Sequence, residues 1–295
     1  MGKIAILSDL HVDINQFSTV EYAQMVDYLK QQKVTDVHIA GDIANTKQEA
    51  LAFVEYVDQF FTTTFHWGNH EMADLKGEEE IEAYPDHRFL NFSWRQLSSQ
   101  WTLVGMNGWY DYSFATQPRD FSRFKQLVWY DRKITRATSD PLLLEQLVER
   151  LDQYLATFPK DQSLIFTTHF VPHHAFVPEY KPPYEKWGQM NAFLGSEKIH
   201  EVLKKYPQVK QVVFGHTHRK LETHRIDNIT YHCRPLGYMY EWPATRKWLR
   251  DYIDAPLPNM AAVKKGLHVH QEAYQQVKPA IWQAEFAKSI SYFEF

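Results

Sequence analysis

The chain contains 295 residues, of which 44% are hydrophobic and 15% aromatic, so it can bury a substantial core as one large domain or two small ones. Its net charge is −4 without any long block of like charges, so composition gives no indication of bulk attraction to nucleic acid or to anionic lipid. The single cysteine, Cys233, excludes an intrachain disulfide and is typical of a reducing compartment.

The apolar runs of the sequence are too short for targeting or for membrane insertion. The N-terminal run at 3–7 is shorter than the core of a signal peptide. Charges interrupt every later apolar run well before it reaches membrane-spanning length. We therefore expect a cytoplasmic protein without a membrane partner.

The first part of the chain alternates strands and helices. Short apolar runs predict strands at 3–7, 35–40 and 62–67. Between them, Ser18 and Thr46 each begin a capping sequence that is followed by an apolar helical stripe. This order predicts a sheet covered by helices, in which ligands gather beyond the carboxyl ends of the strands.

The same alternation continues through the middle of the chain. Apolar runs predict further strands at 101–106, 162–168 and 209–214. Helices are predicted from Ser139 to about residue 155, with a proline suited to the first turn, and from Ser196 to about residue 205. A β-hairpin is predicted around Asp227-Asn228.

Three segments fit this scheme less well. The aromatic stretch 107–138 and the proline-rich stretch 171–195 lack a clear period, and we interpret them as cap insertions on the substrate side. Residues 241–295 form a C-terminal extension whose structure the pattern does not define. Because no repeat and no low-complexity linker occurs, the sequence predicts a single domain, 1–295.

Polar motifs follow five of the predicted strands. They are Asp9-Leu10-His11, Gly41-Asp42, Gly68-Asn69-His70-Glu71, His169 and Gly215-His216-Thr217-His218. One such motif is a weak signal, but all five lie where an apolar run stops. Carboxylate, amide and imidazole ligands without a thiolate favour Mn, Fe or Zn over Ca and disfavour a structural zinc site. Seven candidate ligands are more than one ion needs and predict two divalent or trivalent ions.

The order of these motifs resembles that of the calcineurin-like metallophosphoesterases. The matched motifs span residues 9–218, about two-thirds of the chain. The resemblance implies an α/β fold of two packed mixed β-sheets flanked by helices, a four-layer αββα sandwich with inserted cap segments. It also implies hydrolysis of phosphate esters by a water molecule that two metal ions activate.

By position, the resemblance implies two sets of metal ligands that share one aspartate. The first set is Asp9, His11, Asp42 and His218, and the second is Asp42, Asn69, His169 and His216. The resemblance also places His70 beside the leaving-group oxygen as a general acid, with Glu71 orienting it. An acidic side chain in the first turn of a helix explains Glu71 equally well.

Other histidines and aromatic residues have two interpretations. His173 and His174 either contact substrate phosphate or are exposed loop histidines. Trp109, Tyr110 and Tyr112 either line the pocket or pack inside the inserted cap.

Three further features are interpreted structurally. His268 and His270 are predicted to be alternating residues of an exposed strand, since no carboxylate motif accompanies them. His38 and His66 lie within apolar runs and are predicted to be core residues. Cys233 is expected to pack rather than to react.

The predicted function is a metal-dependent hydrolase of small phosphorylated molecules, either a phosphomonoesterase or a phosphodiesterase. The aromatic cap favours a nucleotide or another ligand with a ring, and the composition does not suggest the positively charged groove that nucleic acid requires. The alternative is a catalytically silent member of the fold that acts as a binding or scaffold protein. The complete set of candidate ligands disfavours that alternative. The pattern leaves the oligomeric state open.

Overall fold

Residues 2–295, the part of the chain that the computed structural model describes, contain ten β-strands in two sheets. In chain order they are β1 (Lys3–Leu7), β2 (Asp36–Ala40), β3 (Thr62–His66), β4 (Ser93–Gln96), β5 (Trp101–Met106), β6 (Ser163–Thr168), β7 (Val209–Phe214), β8 (His224–Ile226), β9 (Ile229–Cys233) and β10 (Ser291–Glu294). The first sheet has the order β10-β1-β2-β3, and the second has the order β4-β5-β6-β7-β9-β8. Both sheets are mixed.

The helices connect and cover these strands. They are α1 (Thr19–Gln31), α2 (Lys47–Asp58), α3 (Asn69–Met72), α4 (Glu78–Glu82), α5 (Phe121–Val128), α6 (Asp140–Leu155), α7 (Glu197–Leu203), α8 (Pro243–Ile253), α9 (Met260–Val269) and α10 (Gln271–Phe286). Short 3-10 helices occur at Tyr130–Lys133, His174–Phe176 and Glu185–Phe193. Within residues 2–295, none of the helices has both the length and the apolar character needed to cross a bilayer.

The strand directions decide where the functional motifs meet. Strands β1, β2 and β3 run parallel, as do β5, β6, β7 and β9, while the edge strands β4, β8 and β10 are antiparallel to their neighbours. Parallel strands present their carboxyl ends at one edge of a sheet. The segments that follow β1, β2, β3, β6 and β7 therefore come together at one end of the molecule.

The two sheets pack face to face because alternate residues of their strands point inward. Ile4 and Ile6 of β1 form one buried cluster with Leu103, Ile165 and Val213 of the second sheet. The intervening residues of β1 belong to the larger core that also includes apolar residues of the helices. The predicted fold of two mixed sheets flanked by helices is confirmed.

The two core histidines are buried as predicted. His38 lies between the sheets, with its Nε2 2.9 Å from Thr167 Oγ1 and its Nδ1 2.9 Å from Thr64 Oγ1. His66 is also fully buried. Burial alone lowers the pKa of His38 to about 3, so it is a neutral link between the sheets rather than a charged one.

The helix signals read from the sequence correspond to real caps. Ser18 and Glu21 form a reciprocal capping box at the start of α1. Helix α6 begins at Asp140 with Pro141 in its first turn. The hairpin turn is also where it was predicted, since Asp227 and Asn228 both have positive φ angles between β8 and β9.

The segment 241–295 contributes three helices and a strand to the fold. β10 pairs antiparallel with β1 and extends the first sheet, and α10 packs against α1. The prediction of an exposed strand at His268 and His270 is wrong, because His268 lies in the last turn of α9 and His270 at the boundary with α10. Alternation over three residues carries too little information to distinguish a strand from a helix end.

A buried ion pair joins the C-terminal segment to α1. Lys278 Nζ of α10 lies 3.0 Å from Glu21 Oε1, and both residues are buried. Burial raises the pKa of Glu21, but hydrogen bonds from Ser18 and the contact with Lys278 outweigh it and leave the pKa below its ordinary value of 4.5. The ionised carboxylate is therefore the stable form in the folded chain.

We expect Lys278→Met to lower the free energy of unfolding by about 3 kcal/mol near neutral pH, because it leaves a buried carboxylate without its cation. Since the pKa of Glu21 is lower in the folded than in the unfolded chain, this contribution is present above pH 4.5 and is lost as the pH falls below it. Urea unfolding of the wild type and the variant across this range measures both effects.

The control is the exposed pair of Lys204 and Glu201. Lys204→Met should leave the free energy of unfolding almost unchanged. If the difference between wild type and Lys278→Met did not shrink at acidic pH, the account of Glu21 would be wrong.

Candidate metal centre

Five loops bring the predicted ligands to the common edge of the two sheets. Asp9 and His11 follow β1, Asp42 follows β2, Asn69 follows β3, and the remaining three histidines follow β6 and β7. Backbone hydrogen bonds tie the first two loops together, from the amide of Asp9 to Gly41 O and from the amide of His11 to Asp42 O. The loops therefore form one connected platform.

Five of these seven residues adopt the left-handed backbone conformation that L-residues rarely use. Their φ angles are 55° for Asp9, 42° for His11, 53° for Asp42, 67° for His216 and 50° for His218. Such conformations cost about 1–3 kcal/mol each for a non-glycine residue and cluster at functional sites. This strained backbone conformation turns successive side chains toward one point.

Glycines in the motifs allow the loops to approach closely. A Cβ atom on Gly68 would overlap the Asp42 carboxylate, and one on Gly215 would overlap the Asp9 carboxylate. Both glycines are thus required by the contact of a neighbouring loop with a candidate ligand.

The first group of side chains consists of Asp9, His11, Asp42 and His218. One ligand atom from each lies within 4.8 Å of the others. His11 Nε2 lies 3.0 Å from His218 Nε2 and 3.7 Å from Asp42 Oδ2. His218 Nε2 lies 3.4 Å from Asp9 Oδ1.

The second group shares Asp42 with the first. His169 Nε2 lies 3.3 Å from Asp42 Oδ2, 3.2 Å from Asn69 Oδ1 and 3.1 Å from His216 Nδ1. Asp42, His169 and His216 each place a ligand atom within 4.8 Å of the others. The structure thus brings together all seven residues that the motifs singled out, in two groups around one carboxylate.

The outer hydrogen bonds of the histidines test whether these groups suit metal ions. His218 Nδ1 lies 2.9 Å from Glu241 Oε2, His169 Nδ1 lies 3.2 Å from Ala40 O, and His216 Nε2 lies 3.1 Å from Phe193 O. Each of these partners is an acceptor, so each ring nitrogen on the outside carries the proton. The nitrogens facing inward then present lone pairs to other acceptors, an arrangement that a shared cation satisfies. The residues fit a pair of metal ions.

The charges of the site agree with this fit. Burial favours the neutral acid of Asp42, but His169 and His70 outweigh it and hold the pKa of Asp42 well below its usual range. Burial lowers the pKa of His169, but Asp42 outweighs it and raises the pKa to about 9. Burial also lowers the pKa of His216 to about 3. Asp42 is therefore ionised, which is the form in which it could hold a cation.

The whole set of motifs corresponds to one sequence family. The signature of the calcineurin-like phosphoesterases matches residues 2–220, which is more than half of the chain and includes every motif described above. The chain belongs to the calcineurin-like phosphoesterase family.

Solved structures with a similar fold include a hydrolase and a dimetal phosphatase. The phosphopantetheinyl hydrolase of Mycobacterium tuberculosis shares 18% sequence identity, with 82% of this chain and 91% of that chain covered and a TM-score of 0.65. A dimetal phosphatase from Danio rerio shares 12% identity, with 79% and 87% covered and a TM-score of 0.51. At these identities the similarity establishes the fold alone. A comparison with curated proteins found no match.

The phosphoesterase motif residue His70 lies beside the two groups, with its Nε2 3.9 Å from Asp42 Oδ2. Its Nδ1 contacts Asn45 Oδ1 at 2.6 Å, and its Nε2 contacts the Tyr238 hydroxyl at 3.1 Å. Tyr130 stacks on the ring at 4.4 Å between centroids. Asn45, Tyr130 and Tyr238 lie outside the family motifs, so the pattern gave no reason to select them.

Glu71, which was predicted to orient His70, directs its carboxylate to backbone amides instead, as expected for an acidic residue in the first turn of a helix. The Glu71 carboxylate accepts hydrogen bonds from the backbone amides of Asp42, Ala44 and Gly68 at 2.8–3.1 Å, and Asn45 contacts His70 instead. Burial raises the pKa of Glu71 to about 8. Glu71 therefore clamps the loop after β2 to the loop after β3 and supports both groups of ligands.

A cleft of about 250 Å³ opens over the centre. Its walls include Trp129, Tyr130 and Tyr238. Trp109 and Tyr110 are fully buried, and Tyr112 packs against Phe121, so these three residues pack inside the cap. His174 is exposed as the loop interpretation required, but His173 is buried and contacts Glu197 at 3.2 Å. From the segment 107–138, the residues that line the cleft are Trp129 and Tyr130, which follow α5.

The segment 107–138 also fixes the side chain of Asn69. Asn69 Nδ2 donates to the buried Asp131 Oδ1 at 2.8 Å, which turns Asn69 Oδ1 toward His169.

We expect Asp131→Ala to weaken Mn²⁺ binding by about 10–100-fold, the usual cost of losing a residue that orients a metal ligand. Asp131→Asn keeps a side-chain acceptor and should restore most of the affinity.

Equilibrium dialysis against Mn²⁺ measures the affinity of each variant. Equal affinity of the Asp131→Ala variant and the wild type would show that Asn69 does not depend on Asp131.

Proposed function

We propose that this chain is a dimetal hydrolase of small phosphate esters. The observation that carries the proposal is the convergence of seven buried or half-buried side chains on two adjoining points, with three histidines whose outer nitrogens are already bonded to acceptors. The seven residues would act as metal ligands, and Asp42 would bridge the two ions. A mixture of imidazole and carboxylate ligands favours Mn, Fe or Zn.

When bound, such ions lower the pKa of water and neutralise the charge of a phosphoryl group. The chain's own residues bind and orient the substrate around them. His70 is held by Asn45 with its Nε2 directed toward the cleft, so a proton on Nε2 can pass to the departing oxygen of the ester. Burial lowers the pKa of His70, and an anionic phosphate ester beside the ring favours the protonated form.

The aromatic lining of the cleft favours a substrate with a ring, such as a nucleotide. Trp129, Tyr130 and Tyr238 line the cleft, and aromatic side chains favour stacked or edge-on contact with a planar group. The pair of His70 and Tyr238 on the same side of the cleft gives the leaving group two polar contacts. The proposal covers monoesters and diesters, because both have a departing oxygen that needs the same proton.

The test is hydrolysis of para-nitrophenyl phosphate and of bis-para-nitrophenyl phosphate by the purified chain with Mn²⁺, Fe²⁺ or Zn²⁺. We expect turnover of at least one ester that EDTA abolishes and that fresh metal restores. The ratio of the two rates then separates a monoesterase from a diesterase. Metal binding without any turnover that a chelator removes would favour a binding or scaffold role instead.

A further inference from the structure

A second concavity lies directly beside the metal centre. It has a volume of about 400 Å³ and is lined by residues of α8 and by Pro256 and Leu257, which follow this helix. Glu241 lines this groove, and its carboxylate also accepts the hydrogen bond of His218. The groove and the candidate metal centre therefore share one side chain as a common wall.

The groove is lined by three cationic side chains of α8. They are Arg246, Lys247 and Arg250, and all three are exposed. Lys247 and Arg250 contact Asp251, at 2.9 and 3.5 Å, whereas Arg246 forms no ion pair within residues 2–295. The three cations outnumber Glu241, which is the one carboxylate among the residues that line the groove, and Arg246 is the cation that Asp251 does not pair.

The positions of the two arginines are unfavourable for the helix alone. Arg246 and Arg250 are four residues apart, so they lie on the same face of α8, where like charges repel each other. A small anion between the two side chains would relieve that repulsion. Guanidinium groups bind phosphate oxygens through paired hydrogen bonds, which suits them to this ligand better than lysine.

An adjacent face of α8 fixes this helix to the rest of the molecule. Thr245 and Leu249 are fully buried, and Thr245 Oγ1 lies 2.9 Å from the Tyr274 hydroxyl of α10. Arg246 lies one turn into a helix that begins two residues after Glu241. The cationic face is thus held at a constant position next to the wall that it shares with the metal centre.

We propose that this groove binds a second phosphate group of the substrate. The inference rests on the proposed hydrolase function and narrows its substrate class to small molecules with two phosphates, one cleaved at the metal centre and the other bound by Arg246 and Arg250. A substrate with a single phosphate, such as para-nitrophenyl phosphate, has no group that reaches the groove.

The experiment compares alkanediol bisphosphates of four, six and eight carbons with the alkyl monophosphates of the same lengths. We expect kcat/KM of the wild type to be about tenfold higher for at least one bisphosphate than for its monophosphate. This factor corresponds to the lower end of the range of stabilisation that one hydrogen bond to a charged group provides. Arg246→Ala combined with Arg250→Ala should remove that preference and leave monophosphate hydrolysis within about twofold of the wild type.

Lys160→Ala combined with Lys265→Ala is the matched control, since it removes two exposed cations outside the groove. This control variant should keep the preference for the bisphosphate. Absence of any preference in the wild type, or a preference that survives the double arginine substitution, would overturn the proposal.

Failure of the hydrolase function itself would look different, because neither class of ester would be turned over. In that case, calorimetric titration with hexanediol bisphosphate measures binding to the groove independently of catalysis. Binding about tenfold weaker to the double arginine variant than to the wild type would support the groove, and equal binding would overturn it.

Discussion

Asp42→Ala should remove metal binding from both ligand groups and abolish hydrolysis. Asp42 is the one residue that belongs to both groups of carboxylate and imidazole ligands, and it is buried between them. Loss of a residue that only orients a ligand costs about 10–100-fold in metal affinity, so loss of the shared ligand should cost more than about 100-fold. Metal analysis by mass spectrometry after dialysis gives the number of ions per chain.

Asp9→Ala is the informative comparison, because Asp9 belongs to the first group alone. We expect two ions in the wild type, one in the Asp9→Ala variant and weak binding at both positions in the Asp42→Ala variant. Circular dichroism establishes whether each variant is folded. A folded Asp42→Ala variant that retained two ions with wild-type affinity would refute the bridging role of Asp42.

His70→Ala should slow hydrolysis by about 10²–10⁴-fold, the usual contribution of a general acid, while the metal content stays the same. His70 contacts the cleft but belongs to neither ligand group. The loss should be larger for methyl phosphate than for para-nitrophenyl phosphate, because the poorer leaving group depends more on the proton. Steady-state rates with both esters, together with metal analysis, measure the two effects.

His87→Ala is the control for the loss of a histidine, since its side chain is 90% exposed and lies outside the cleft. It should hydrolyse both esters like the wild type. If His70→Ala slowed both esters equally, His70 would contribute to substrate binding or positioning rather than to proton transfer. If hydrolysis did not change at all, His70 would have no part in the reaction.

Local sequence patterns predicted most of the longer elements in the first 240 residues, although they missed β4 and α5. Strand β2 is buried along its whole length and appears in the sequence as a short, largely apolar run, whereas helix α6 buries one periodic set of leucines. Caps at Ser18 and a turn at Asp227-Asn228 also depend on residues a few positions apart. These features can be predicted because their energetics are local.

The C-terminal segment could not be predicted in the same way. β10 has only four residues, and it is a strand because it pairs with β1 at the other end of the chain. Helix α10 is fixed to α1 by Lys278 and Glu21, which are separated by more than 250 positions. No local pattern contains such a partner.

Around the candidate site, the sequence by itself determined which residue types follow each strand, and parallel strands bring such residues to one edge of a sheet. Only the tertiary structure decided which atoms meet. It placed Asn45 rather than Glu71 against His70, and it brought Tyr238 to the cleft and Glu241 to the outer nitrogen of His218. Side-chain contacts between distant segments depend on how loops pack in three dimensions, and that packing leaves no periodic trace in the sequence.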